Sequence, residues 1–243
     1  MTLSFGRDIG ATASSTPTIE NNQIGEFGLY GIFLKNAAGT VQNNIFDLEN
    51  RENRVISGMI PADFVMQGTW AVGNQVIVPE KRVLVIEPGS NVFISSFPGA
   101  TIVDVHNILV RGTLYALGTA EKPILITIIN YDELEGRSPH VFFAERFWGD
   151  IFFEGNENSS FIAHTTIKYG GGLAYCPAKD RCFDASIRVV DSVGGLTLDS
   201  VTIIPSWVLG RGLHSENSTV NILDSTFNAG HTGIVANGSS SVY

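Results

Sequence analysis

Apolar residues in this chain come in short runs: VIV (76–78), VLVI (83–86), NVFI (91–94), ILV (108–110), ILITII (124–129), DIFF (150–153) and SIRVV (186–190). Gly, Pro, Asn, Asp or Ser bounds each run, and these are the residues that make turns. No window keeps the helical 3.6-residue spacing for three turns. Ile, Val and Thr make up about a quarter of the chain, and their β-branched side chains favour extended backbone. The pattern predicts short strands and tight turns along almost the whole length. Ile126 and Val85 are assigned to the inward face of those strands.

Internal repeats select the β architecture. IENNQI (19–24) matches VQNNIF (41–46), aligning Asn21 with Asn43 and Asn22 with Asn44. LTLDSVTI (196–203) resembles VNILDSTF (220–227), aligning Asp199 with Asp224, and FIAHTTIKYGG (161–171) is a looser copy. A period of about 22–25 residues with three short strands suits one coil of a parallel β-solenoid. Stacked coils would place equivalent residues about 4.8 Å apart, building apolar columns inside and Asn ladders at the turns. The L-x-x-L-x-L pattern of leucine-rich repeats is absent. A sandwich of hairpins would show more Asn-Gly turns than the single one at 237–238.

Composition narrows the function classes. The chain has 243 residues, 16% of them charged, and a formal net charge of −9. Such an acidic balance, with no Lys or Arg run, argues against a nucleic-acid partner. No apolar stretch of about 18 residues marks a membrane-spanning helix. The N-terminal MTLSFGRDIGATASS has no apolar run of signal-peptide length. Cys176 and Cys182 lie close together in a Pro-containing stretch and could close a small surface disulfide or remain reduced. His164 and His214 are too far apart for a local zinc pattern, so no metal site is expected.

The central residues have a more specific pattern. Ile86-Glu87-Pro88-Gly89, then Gly112-Thr113-Leu114-Tyr115-Ala116-Leu117-Gly118-Thr119, Pro123-Ile124, Trp148 with Ile151, and Tyr169-Gly170-Gly171 follow one another after Trp70. This order resembles that of right-handed parallel β-helix repeat proteins of the pectin-lyase-like fold, found on bacterial and archaeal surfaces. The resemblance covers residues 68–243. It implies an all-β, right-handed, single-stranded parallel β-helix in an extracellular or cell-surface protein. Two features depart from the family pattern: Asp150 stands where Gly is common, and the stretch 131–146 is longer and more charged. Residues 1–50 read as Asn-rich coils, such as the tail of a preceding segment, and 51–67 as a connection. Residues 68–243 read as the main β-helix, with a Cys-containing loop at 173–184. The chain stops at Tyr243 directly after a Gly-Ile-Val coil start and no capping pattern is read there, so a piece of a longer protein is expected.

That fold hosts lyases, hydrolases, adhesins and spacers, so function must be argued from sites. Asp150 and Glu154 bracket a strand at an even spacing and should share a face. With Lys168 and Tyr169 from the next coil they are the catalytic candidates for a polysaccharide lyase or glycoside hydrolase. A lyase of this family would imply calcium; no other cofactor is expected. Asp199 and Asp224 would stack about 5 Å apart if the repeat register holds, although a turn Asp bonding its own backbone explains the same pattern. His164 is expected on a strand, as a hydrogen-bonded neutral side chain. Trp207, Arg211 and His214 are candidates for sugar stacking and hydroxyl contacts. Phosphate-binding and nucleophile-elbow motifs are missing. The expectation is a structural segment that binds a polysaccharide or another surface partner, with the enzyme as the alternative.

Overall fold

The computed structural model describes residues 9–12, 14–24, 32–42, 44–46, 54–94, 108–128, 148–171, 185–205, 210–228 and 232–243. No helix occurs among them. The strands follow one another coil by coil. The first coil is β1 (Ile9–Thr12), β2 (Thr18–Glu20) and β3 (Gln23–Ile24); the second is β4 (Ile32–Lys35), β5 (Thr40–Gln42) and β6 (Ile45–Phe46). Next come β7 (Arg54–Met59), β8 (Phe64–Met66) and the ten-residue β9 (Thr69–Val78), then β10 (Val83–Ile86) and β11 (Asn91–Ile94). Three further coils supply β12 (Ile108–Val110), β13 (Thr113–Leu117), β14 (Ile124–Ile128), β15 (Ile151–Glu154), β16 (Ser160–Ala163), β17 (Thr165–Lys168), β18 (Ala185–Val190), β19 (Leu196–Asp199) and β20 (Thr202–Ile204). The chain finishes with β21 (Arg211–Glu216), β22 (Thr219–Leu223), β23 (Thr226–Phe227), β24 (Thr232–Asn237) and β25 (Ser241–Val242).

Every strand pairing among the described residues is parallel. Each strand pairs with its equivalent in the adjacent coil, so the fold is an all-β parallel β-helix, as the repeats predict. Three walls result. The first runs β9–β12–β15–β18–β21–β24, the second β8–β10–β13–β16–β19–β22–β25, and the third β9–β11–β14–β17–β20–β23. β9 belongs to two walls: Thr69–Val72 pairs with β11 and Val76–Val78 with β12, which joins the first and third walls into one 14-stranded sheet. β7 pairs with both β4 and β9, so residues 54–59 carry the sheet from the N-terminal coils into the rest.

Coil length varies more than the repeats suggest. Stacked positions are 22 residues apart at Asn22 and Asn44, 26 at Asp191 and Asn217, and 43 at Arg111 and Glu154. The longest insertions fall in the connections 95–107, 129–147 and 172–184, outside the described residues. Each joins the end of a third-wall strand to the start of a first-wall strand. Insertion there leaves the ladders unbroken, because the strands flanking the connection keep their partners.

The core is the set of inward columns. In the first wall Val76, Ile108, Ile151, Ile187 and Leu213 stack in register, and in the third Trp70, Val92, Ile126, Ile167 and Ile203 do so. All ten are fully buried, and each contributes about 1.5–3 kcal/mol by leaving water. Ile126 is inward, as expected. Val85 is not: Leu84 and Ile86 take the inside of β10, and Val85 faces out. In an all-apolar VLVI run the phase is invisible, and it is set by pairing with β8 and β13.

The corners use left-handed residues. Asn21, Asp191 and Asn217 have positive φ, a conformation that Asn and Asp tolerate because their side chains bond locally. Asn217 Nδ2 donates to Asp191 Oδ1 at 2.9 Å, and Asn22 Nδ2 donates to Asn44 Oδ1 at 2.9 Å. The predicted Asn ladder is therefore present at Asn22 and Asn44; Asn43 lies outside the described residues.

Candidate functional site

The Trp148 corner positions the catalytic candidates. Trp148 is fully buried, and its Nε1 donates to the Lys168 carbonyl at 2.8 Å. Its backbone N–H donates to the Tyr169 carbonyl at 3.3 Å, and Gly171 N–H donates to the Gly149 carbonyl at 2.6 Å. A Cβ on Gly170 would come within 2.9 Å of the Trp148 ring, so only glycine allows this approach. The Trp and the Tyr-Gly-Gly of the sequence pattern are thus one packing unit. Lys168 ends β17 in the third wall; Tyr169 turns at φ 61° and packs against the core.

Asp150 and Glu154 do share the outer face of the first wall, flanking Phe152. Asp150 is buried and makes an ion pair and hydrogen bond with Arg188 Nε, while the Arg188 guanidinium lies 4.0 Å over the Phe152 ring. Glu154 accepts from Arg111 Nε at 2.8 Å, with both side chains nearly half exposed. Asp150 is therefore held as the anion of a shielded pair, and Glu154 as half of a solvent-screened one.

The same face brings in β21. His214 pairs across from Arg188 in register and is fully buried. Its Nε2 is 3.9 Å from Glu216 Oε2. Burial lowers its pKa, Arg211 and Arg188 lower it further, and Glu216 opposes them. The imidazole is accordingly neutral at pH 7. Asp150, Glu154, Arg211 and His214 thus come together on one wall, joined by Arg111, Arg188 and Glu216, whose involvement depends on register and was invisible in sequence. Trp207, Cys176 and Cys182 lie outside the described residues.

Two expectations change. His164 is not on a strand: it turns at φ 40° between β16 and β17, its N–H donating to the Asp199 carbonyl at 2.9 Å. Asp199 stacks on Leu223, not Asp224, because β19 and β22 pair one residue out of the sequence alignment. Asp224 instead takes a left-handed turn like Ser200. Among the described residues no group of three or more His, Cys, Asp or Glu side chains could hold a metal ion, and no helix is long and apolar enough to cross a membrane.

The second wall presents a different surface. Val65, Val85, Tyr115, Phe161, Thr197 and Asn221 stack in one outward column. Val65 is 48% exposed and Tyr115 36%, and Leu117 beside it is 39% exposed. At about 4.8 Å per coil the apolar part of this column is a straight, solvent-facing strip. Its sequence signal is an aromatic at the polar phase of an alternating strand, Tyr115 between Leu114 and Ala116, which are inward and fully buried.

Compared with protein-family models, curated proteins and solved structures, the chain matches none.

Proposed function

We propose that this chain is a structural, carbohydrate-binding segment of a secreted or cell-surface β-helix protein related to the pectin-lyase-like repeat proteins. The observation that carries this is the outward column of the second wall. Tyr115 and Phe161 are adjacent in register, on a rigid sheet face, with Val65 and Val85 before them and Thr197 and Asn221 after. Aromatic faces on a rigid platform suit sugar rings, and the flanking hydroxyl and amide suit sugar hydroxyls. A regular column favours an extended chain of repeating units over a compact ligand. A lyase or hydrolase working from Asp150 and Glu154 has weaker support. Retaining and inverting glycosidases need two carboxyl groups about 5–10 Å apart and ready for acid, base or nucleophile work, and here each is committed to an arginine.

The test is affinity electrophoresis through acidic and neutral polysaccharides. The wild-type chain should be retarded by at least one of them. Tyr115→Ala and Phe161→Ala should each weaken binding about tenfold, with unchanged circular dichroism. Equal retardation of wild type and both variants would overturn the assignment of the face. Release of unsaturated products or reducing ends, with or without calcium, that vanishes in Asp150→Ala would put the enzyme first.

A further inference from the structure

Among the described strands, the second wall's ladder breaks between β5 and β8. β2 and β5 form a two-stranded sheet of their own, and the seven-stranded sheet begins at β8. Yet the same two coils stay joined elsewhere, where β4 pairs with β7 from Ile32–Arg54 to Lys35–Ser57. The coils therefore part on one side of a closed seam. A cleft of about 440 Å³ lies over this break, lined by Thr18 of the first coil, Thr40 and Gln42 of the second, Asp63 and Val65 of the β8 coil and Glu87 beyond β10, among others.

Both banks of this cleft are strand edges. Thr40 N–H donates to the Pro17 carbonyl at 3.0 Å and the Gln42 carbonyl accepts from Asn21 N–H at 3.3 Å, so both residues face β2. Successive residues of a strand direct their N–H and C=O to opposite sides, so Val41 faces the cleft. Across it, the Met66 carbonyl accepts from Glu87 N–H at 2.9 Å and faces β10, which leaves Val65 facing the cleft. Backbone donors and acceptors need partners, and two open edges facing one gap form a template for an added strand. The described lining has no Lys or Arg and two acids, Asp63 and Glu87.

We propose that the cleft is a strand-acceptor site. An extended segment of a partner protein, carrying Lys or Arg, enters between β5 and β8 and pairs its main chain with Val41 on one side and Val65 on the other. Main-chain pairing supplies affinity, and the acidic rim selects the positively charged segment. This site meets the Tyr115–Phe161 column at its Val65 end, two coils before Tyr115, and adds a protein partner to the glycan.

The probe is a fluorescently labelled, end-blocked six-residue peptide of alternating valine and lysine. It should bind the full chain by fluorescence anisotropy and slow hydrogen exchange at the Val41 and Val65 amides at least tenfold. A valine–glutamate counterpart should bind at least tenfold more weakly. Val65→Pro removes one cleft-facing N–H at an edge where proline is tolerated, and should weaken binding at least tenfold with an unchanged dichroism spectrum. Should that variant misfold, a probe N-methylated at alternate residues serves the same purpose on the unaltered protein and should lose affinity to the same extent. Tyr115→Ala should bind the peptide as wild type does, which separates this site from the glycan face. No protection at Val41 and Val65, or full affinity of the N-methylated probe, overturns the proposal.

Discussion

Removing the carboxylate of Asp150 should destabilise the fold through Arg188. In Asp150→Ala the Arg188 guanidinium loses its ion-pair partner while remaining four-fifths covered: the two side chains are 20% and 6% exposed for Arg188 and Asp150 respectively. Breaking a buried pair from one side costs about 3–5 kcal/mol. Arg188 keeps its stacking on Phe152 and some access to water, so the lower end, about 3 kcal/mol, applies to Asp150→Ala. Arg188→Met strands the more deeply buried charge and should cost more, toward about 5 kcal/mol. The double variant, with neither charge left, should recover most of the loss. For a chain of this size about 3 kcal/mol lowers the melting temperature by about 6–12 °C, readable by circular dichroism of the β signal. The refuting result is additivity: if the double variant loses the sum of the single losses, Asp150 and Arg188 are not coupled, and Asp150 is free for other work on that face.

Ile126→Asp should abolish the β dichroism signal, since an unpaired charge in the fully buried column costs several kcal/mol; Val85→Asp, on the outer face, should melt within a few degrees of wild type. Gly170→Val should lower stability by about 1–3 kcal/mol by driving a side chain into the Trp148 ring, where a Cβ alone already comes to 2.9 Å; unchanged urea unfolding would show that the corner can give way. His214 has a lowered pKa in the fold, so the unfolded chain takes up its proton first, near pH 6.5. Its neutral form stabilises the fold fully above that pH, and the contribution is lost as the pH falls through 6.5 toward the lower folded value. Replacing it in His214→Gln should flatten the decline of melting temperature between pH 7 and pH 5; a profile parallel to wild type would contradict the buried neutral imidazole.

The fold was largely legible because a solenoid writes its architecture locally. Strand, turn and repeat each leave a pattern within one coil, and IENNQI and VQNNIF pair in the fold in the register their alignment predicts. Register failed where the alignment rested on turn residues. Matching Leu-Asp-Ser to Leu-Asp-Ser put Asp199 opposite Asp224, whereas packing of Leu196 and Leu198 against Val220 and Ile222 sets the true pairing one residue away. The site was less legible for a similar reason. Asp150 and Glu154 were recognisable as one face from strand parity alone. Their arginine partners come from residues 38 and 43 positions away in the chain, and the inserted connections hide that spacing.

By itself, then, the sequence determined the class of fold, the three-strand coil, the left-handed Asn turns and the inward place of Ile126. These follow from side-chain periodicity and turn chemistry, which act over a few residues. The tertiary structure alone decided which outward residues meet. It paired Asp150 with Arg188, lined Tyr115 up with Phe161, buried His214 and opened the cleft between β5 and β8. Those outcomes depend on the register and spacing of whole coils, and in a parallel β-helix both are set by the summed packing of inward columns.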